Sequence, residues 1–220
     1  LGVDVPDTWQ SNKGGGTLYT GGTDSTGGVT PTTQKKTYVT YWTASGSQTR
    51  RGNSPYGDNT INTAVDSGKV LSGYYSSTNG NQFAHIAFTD PATGGSEPGK
   101  TITSAITAST TIQKVEVYVK CVSTYSSSGG SQRFGMQNLT NISNATAVSP
   151  SADSSYGNYI SFTEGQGKWV TLPVGSWNVI KNGYRVVIIG PGVSGSRTNY
   201  LGFANHTASG KPLLRITYTR

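Results

Sequence analysis

Apolar residues in this chain recur at alternate positions, in short runs separated by Gly, Asn, Ser and Thr. The clearest run is residues 111–122, where Val115, Val117, Val119 and Cys121 share one parity and Lys114, Glu116, Tyr118 and Lys120 the other. Successive side chains of a strand point to opposite faces, so this reads as a strand with its valines turned inward. The last segment alternates in the same way, with Leu214, Ile216 and Tyr218 against Arg215, Thr217 and Thr219, and predicts a closing strand with one face on the core. Residues 184–189 form an unbroken, largely β-branched run ending at Gly190-Pro191-Gly192, the pattern of a strand buried on both faces. Further strands are expected from Thr37 onward and at 69–75, 82–89, 101–107, 132–137, 158–162 and 168–172, with Pro173 ending the last of these. Only residues 176–182, opened by Ser176 and stopped by Gly183, suit a helix, of one or two turns.

Short strands at regular spacing, without long helices, predict an all-β sandwich or barrel. Long polar stretches at 45–66, 90–100, 123–131 and 138–157 read as loops, and loops beyond about 12 residues are where function is first sought. Residues 1–35 differ in texture, with Gly14-Gly15-Gly16, Gly21-Gly22 and Gly27-Gly28 among threonines and apolar residues too sparse for any period. They read as a Gly-rich extended arm or linker ahead of a β domain at 36–220, continuing from something upstream of Leu1.

Composition narrows the class. A chain of 220 residues fits one β domain, and only 12% of residues are charged, about half the usual share for a soluble protein. Thirty glycines, 13 tyrosines and abundant Ser, Thr and Asn resemble extracellular or paratope-like surfaces, where Tyr supplies contact area at low entropic cost. The net charge of +7 comes from scattered residues, only Lys35-Lys36 and Arg50-Arg51 being adjacent, so no nucleic-acid partner is expected. No run approaches the roughly 18 apolar residues of a membrane helix, and no membrane insertion is expected. Cys121 has no partner for a disulfide and reads as a small buried apolar residue.

Catalytic chemistry finds few candidates. The plausible carboxylate pairs are Asp58 with Asp66 and Asp153 with Glu164, each better read as turn or surface residues. His85 and His206 stand alone, without a serine and acid pattern or a metal-ligand cluster. No catalytic residue is assigned, the chain is expected not to be an enzyme, and no cofactor is expected; for structural calcium, 53–59 and 90–95 are merely turn-like. Sugar recognition fits better, since aromatic faces stack on pyranose rings beside polar groups. Trp42, Tyr56, Tyr125, Tyr156 and Tyr159, in or beside polar loops, are the candidate ligand-binding residues. Trp169, Trp177, Tyr75 and Phe88 are expected to complete the core edge.

The order of pieces also carries a resemblance. Leu71-Ser72-Gly73-Tyr74-Tyr75, Asn79-Gly80-Asn81-Gln82 and Ile86-Ala87-Phe88 precede Trp169-Val170-Thr171-Leu172-Pro173, Gly190-Pro191-Gly192 and Arg215-Ile216-Thr217-Tyr218. This resembles minor tail and fibre protein domains from phages of actinobacteria. With the strand at 103–119, it is also similar to jelly-roll carbohydrate-binding domains related to disaggregatase and some polysaccharide lyases. The resemblance implies a jelly-roll-like antiparallel β-sandwich in a virion protein made in host cytoplasm. Its implied partners are host cell-surface polysaccharide and, through the arm, other virion proteins. A shallow sugar site binds at about millimolar strength, near −4 kcal/mol, so adhesion needs several copies, whose avidity gains roughly 10² to 10⁴; a trimer is expected. The alternatives are a purely structural virion protein and, by fold analogy, a polysaccharide-degrading enzyme.

Overall fold

The computed structural model describes residues 22–23, 29–30, 34–52, 60–61, 68–146, 157–191 and 196–220. By compactness the chain divides into Leu1–Lys36 and Thr37–Arg220. In the first unit β1 (Gly22–Thr23) pairs antiparallel with β2 (Val29–Thr30). The second unit runs β3 (Thr37–Gly52), β4 (Thr60–Ile61), β5 (Lys69–Ser76), β6 (Gly80–Phe88), β7 (Gly94–Gly95) and a helical turn α1 (Ile102–Ala105). It continues with β8 (Thr111–Thr124), β9 (Gly130–Gln137), β10 (Ile160–Phe162), β11 (Gly167–Thr171) and α2 (Gly175–Lys181). The last elements are β12 (Val186–Pro191), a 3-10 turn (Arg197–Asn199), β13 (Leu201–Ala204) and β14 (Leu213–Thr219).

All pairings are antiparallel, and the second unit is an all-β sandwich. One layer holds β11, β8, β14, the first half of β3 and β7; the other holds the second half of β3 with β4, β6, β5, β12, β9 and β10. The layers share strands. β3 pairs with β14 through Thr43, then bulges at Ser45 and pairs with β6 from Ala44 to Gly52. On the other side, β8 pairs with β14 and β11 and then, from Cys121, with β13, which leads to β5 and back to β6. A bulge bends its strand and sharpens the twist, which is how one strand serves two layers.

The core follows the parity of the sequence. Val115, Val117, Val119 and Cys121 from β8 meet Leu214, Ile216 and Tyr218 from β14, all fully buried. Burial pushes the Cys121 thiol up to about 11, so it acts as a small apolar side chain. Phe134, Phe162 and Phe203 interlock with ring centroids 5.1 to 6.1 Å apart. Each such pair adds about 0.5 to 1.5 kcal/mol beyond simple burial.

Three local expectations are corrected. Residues 101–107 hold α1 rather than a strand, because Thr101 Oγ1 accepts from Ser104 N and Asp90 Oδ1 accepts from Ile102 N, which caps a turn. The stretch from Ser45 is not a loop up to Gly52 but the second half of β3. Its polar side chains face loop 138–146: Gln48 Nε2 donates to Ile142 O and Arg50 Nη2 to Ser143 O. Finally, Tyr75 and Trp169 do not complete the core edge as Phe88 and Trp177 do. Trp169 lies on the outer face of its layer with Arg215 stacked 4.0 Å over its ring, and Tyr75 is exposed.

Candidate functional site

At one end of the sandwich three segments meet: the end of β5 with Tyr75, the residue after β8, Tyr125, and the 3-10 turn with Tyr200 behind it. This is the far end of β8 from Thr111, which pairs with Thr219, itself the partner of Thr37. A strand of 14 residues spans up to about 45 Å, so the cluster and the point where the chain enters the domain lie at opposite poles.

Arg197 sits between two tyrosine faces, its guanidinium carbon 5.2 Å from the Tyr75 ring and 5.5 Å from the Tyr125 ring. Its Nε donates to the Tyr75 carbonyl and its Nη1 to the Tyr125 hydroxyl at 3.3 Å. That last hydrogen bond strengthens its hold on the proton. Tyr200 packs against Tyr75 with centroids 5.0 Å apart, and burial, then Tyr75, pushes its hydroxyl up to about 12. Tyr125 is 55% and Tyr75 39% exposed, so both side chains reach solvent.

The cluster is held from beneath. Ser72 Oγ, fully buried, donates to Gln132 Oε1 at 2.5 Å, and Gln132 Nε2 donates to Asn199 O. Asn199 Oδ1 accepts from Ser131 N at 2.8 Å. A satisfied buried network of this kind holds the 3-10 turn in one position. Two glycines make room for it. A Cβ at Gly73 would stand 2.1 Å from Asn199 O, and one at Gly130 2.6 Å from Thr198 O. Gly73 also has φ +114, a conformation side chains resist. We expect Gly73→Ala to cost about 2 kcal/mol of stability and to unseat Arg197; denaturant unfolding and ligand binding on one sample check both.

Of the residues singled out by sequence, only Tyr125 belongs to this cluster. Trp42 is 0% exposed and buried in the core, so its indole offers no face to a ligand; its place in the alternation of β3 made it a core residue. Tyr159 is exposed at a second place, with the Arg133 guanidinium 5.5 Å over its ring and Arg133 Nε donating to Gly157 O. It adjoins a cleft of about 460 Å³ lined by Phe134, Ile160, Leu172, Pro173 and Trp177. Tyr56 and Tyr156 lie outside the described residues, as do Asp58, Asp66, Asp153 and the turn 53–59. Arg197, Tyr75 and Tyr200 were missed as site residues. The Gly-Tyr-Tyr at the end of β5 was the available signal, since a glycine inside a strand often marks a close backbone approach.

Other polar residues have structural partners. Asp90, in the second turn weighed for calcium, accepts from Ile102 N and pairs with Arg185, so its carboxylate is already engaged. Ser47 Oγ lies 2.8 Å from His206 Nδ1 and accepts from His206 N, a local contact that the sequence did not reveal. His85 is fully buried on the outer face of β6, with Nε2 3.1 Å from Thr146 O. No three of His, Cys, Asp and Glu gather among the described residues. Comparison with known proteins adds no kinship: no family model matches the chain, and no curated protein matches it.

Proposed function

We propose that this chain is a non-catalytic domain of a phage tail or fibre protein that docks onto host cell-surface glycan through Tyr75, Tyr125 and Arg197. The observation that carries the reading is the pair of exposed tyrosines braced by one arginine, at the pole opposite Thr37. A pyranose stacks on such a ring while Arg197 and the hydroxyls of Ser126 and Ser128 on the adjoining loop meet its oxygens. Sites of this kind are weak singly, so the reading includes several copies per particle, a trimer being the simplest.

The test is retention of the purified chain on host cells and on arrayed host polysaccharides. Wild type is expected to be retained and the Tyr75→Ala, Tyr125→Ala double variant to lose retention at least tenfold with an unchanged melting curve. Absence of retention on every host envelope rejects the reading.

A second reading, a structural virion protein, has its own support in the outer face of the other layer. There Tyr41 and Tyr118 flank Trp169 at 6.1 and 5.5 Å, and Arg215 bridges Trp169 to the buried Glu116. An aromatic cluster of this sort suits packing against another subunit. Imaging of the intact particle separates the readings, since adhesion requires a distal position for Tyr125.

A further inference from the structure

We infer that the sugar taken by the Tyr75, Arg197 and Tyr125 site is an acidic one, carrying a carboxylate or phosphate that docks end-on against the Arg197 guanidinium. The inference rests on the glycan-binding reading and names the class of glycan.

Arg197 is charged, exposed and held by hydrogen bonds, yet pairs with no acid among the described residues. Three other arginines of the domain have one: Arg215 pairs with Glu116, Arg185 with Asp90 and Arg220 with Glu97. The comparison with Arg215 and Arg220 is the sharpest, because these also lie over aromatic rings, those of Trp169 and Tyr38. Bracing a ring therefore does not keep an arginine from its carboxylate in this protein. At Arg197 the groups that bear on the charge are tyrosines, Tyr125, Tyr75 and Tyr74.

The unused hydrogens point to the same chemistry. Nε is taken by the Tyr75 carbonyl and one hydrogen of Nη1 by the Tyr125 hydroxyl. The second Nη1 hydrogen and those of Nη2 have no partner among the described residues. Nη1 and Nη2 together form the end-on fork of a guanidinium, which matches the two oxygens of a carboxylate or phosphate. Because the plane is already held by Tyr75 and Tyr125, little side-chain freedom is lost when an anion binds. A guanidinium offers donors only, so a neutral sugar hydroxyl gains one ordinary hydrogen bond where an oxyanion gains two charge-assisted ones. The net charge of +7 favours the approach of such a polymer.

The experiment titrates the full chain with three oligosaccharide-sized probes of matched length, a hexuronate oligomer, a glycosylated glycerol-phosphate oligomer and a neutral glucose oligomer, at low and physiological salt. At least one acidic probe is expected to bind tenfold or more tighter than the neutral one, and the preferred arm tells carboxylate from phosphate. Arg197→Gln is expected to abolish that advantage, bringing acidic-probe and neutral-probe affinities level, with an unchanged melting curve. Arg197→Lys should keep the salt dependence but recover only part of the affinity, because an ammonium lacks the fork. Equal or tighter binding of the neutral probe, or Arg197→Gln without effect, overturns the inference and leaves the glycan reading standing. Failure of wild type to bind any probe overturns the inference; failure also on host envelopes removes the glycan reading with it.

Discussion

Replacing Trp42 by alanine is expected to destabilise the domain by about 3 to 5 kcal/mol, lowering its melting temperature by about 10 °C. The indole is fully enclosed between the two layers, in line with Thr40 and Ala44 on the inner face of β3. Its removal leaves a cavity that the shared strand cannot close without moving both layers. Such a loss is a large part of the roughly 5 to 15 kcal/mol that holds a domain together. Trp42→Phe should be far milder. The indole Nε1 has no hydrogen-bond partner among the described residues, so phenylalanine also removes an unsatisfied buried donor. Denaturant unfolding of both variants, with glycan retention measured on Trp42→Phe, checks this. A ligand-binding Trp42 would give the reverse pattern, with stability kept in both variants and retention lost in both.

Acidification is the second large effect. Burial lowers the pKa of His85 to about 4, opposed by its hydrogen bond to Thr146 and aided by the charge of Arg50. In the unfolded chain the imidazole takes its proton near 6.5. The unfolded state therefore binds more protons between these values, and stability falls as pH drops through that window. The contribution is fully present above about 6.5 and gone below about 4, a loss of about 3 kcal/mol. Protonation adds a donor at Nδ1, which has no described partner, beside Gln48 and Arg50 on the neighbouring strand and Gln137 under the same loop. Unfolding measured from pH 7 to pH 4 should show this slope in wild type and a reduced one in His85→Gln. The two proteins differ in no other titratable group, so the difference belongs to His85. Parallel curves would remove the imidazole from the account.

The sandwich was legible where alternation is clean. The parity of Val115 to Cys121 and of Leu214 to Tyr218 named the two inner faces at the centre of the fold. It was not legible where polar residues are buried by a neighbour from far along the chain. Gln48 and Arg50 read as loop because nothing local shows that residues 142 and 143 cover them. The same limit applied to the site. Tyr125 stood out in a polar loop, but Arg197 and Tyr75 lie 72 and 50 positions from it and meet it only through the fold. Trp42 misled for the opposite reason. It sits three residues before the bulge at Ser45, and its closeness to polar sequence was mistaken for closeness to solvent.

The opposite placement of Thr37 and Tyr125 decides how the domain meets tension. β3 runs antiparallel to β14 and β14 antiparallel to β8, so β3 and β8 point the same way, one entered at Thr37 and the other left at Tyr125. A pull between those residues is directed along the strands and loads both ladders in shear, across seven paired positions on each. Those hydrogen bonds yield together, not one after another as in a hairpin peeled from its tip. A load applied between Thr37 and Tyr125 is therefore shared by the strands of both ladders at once.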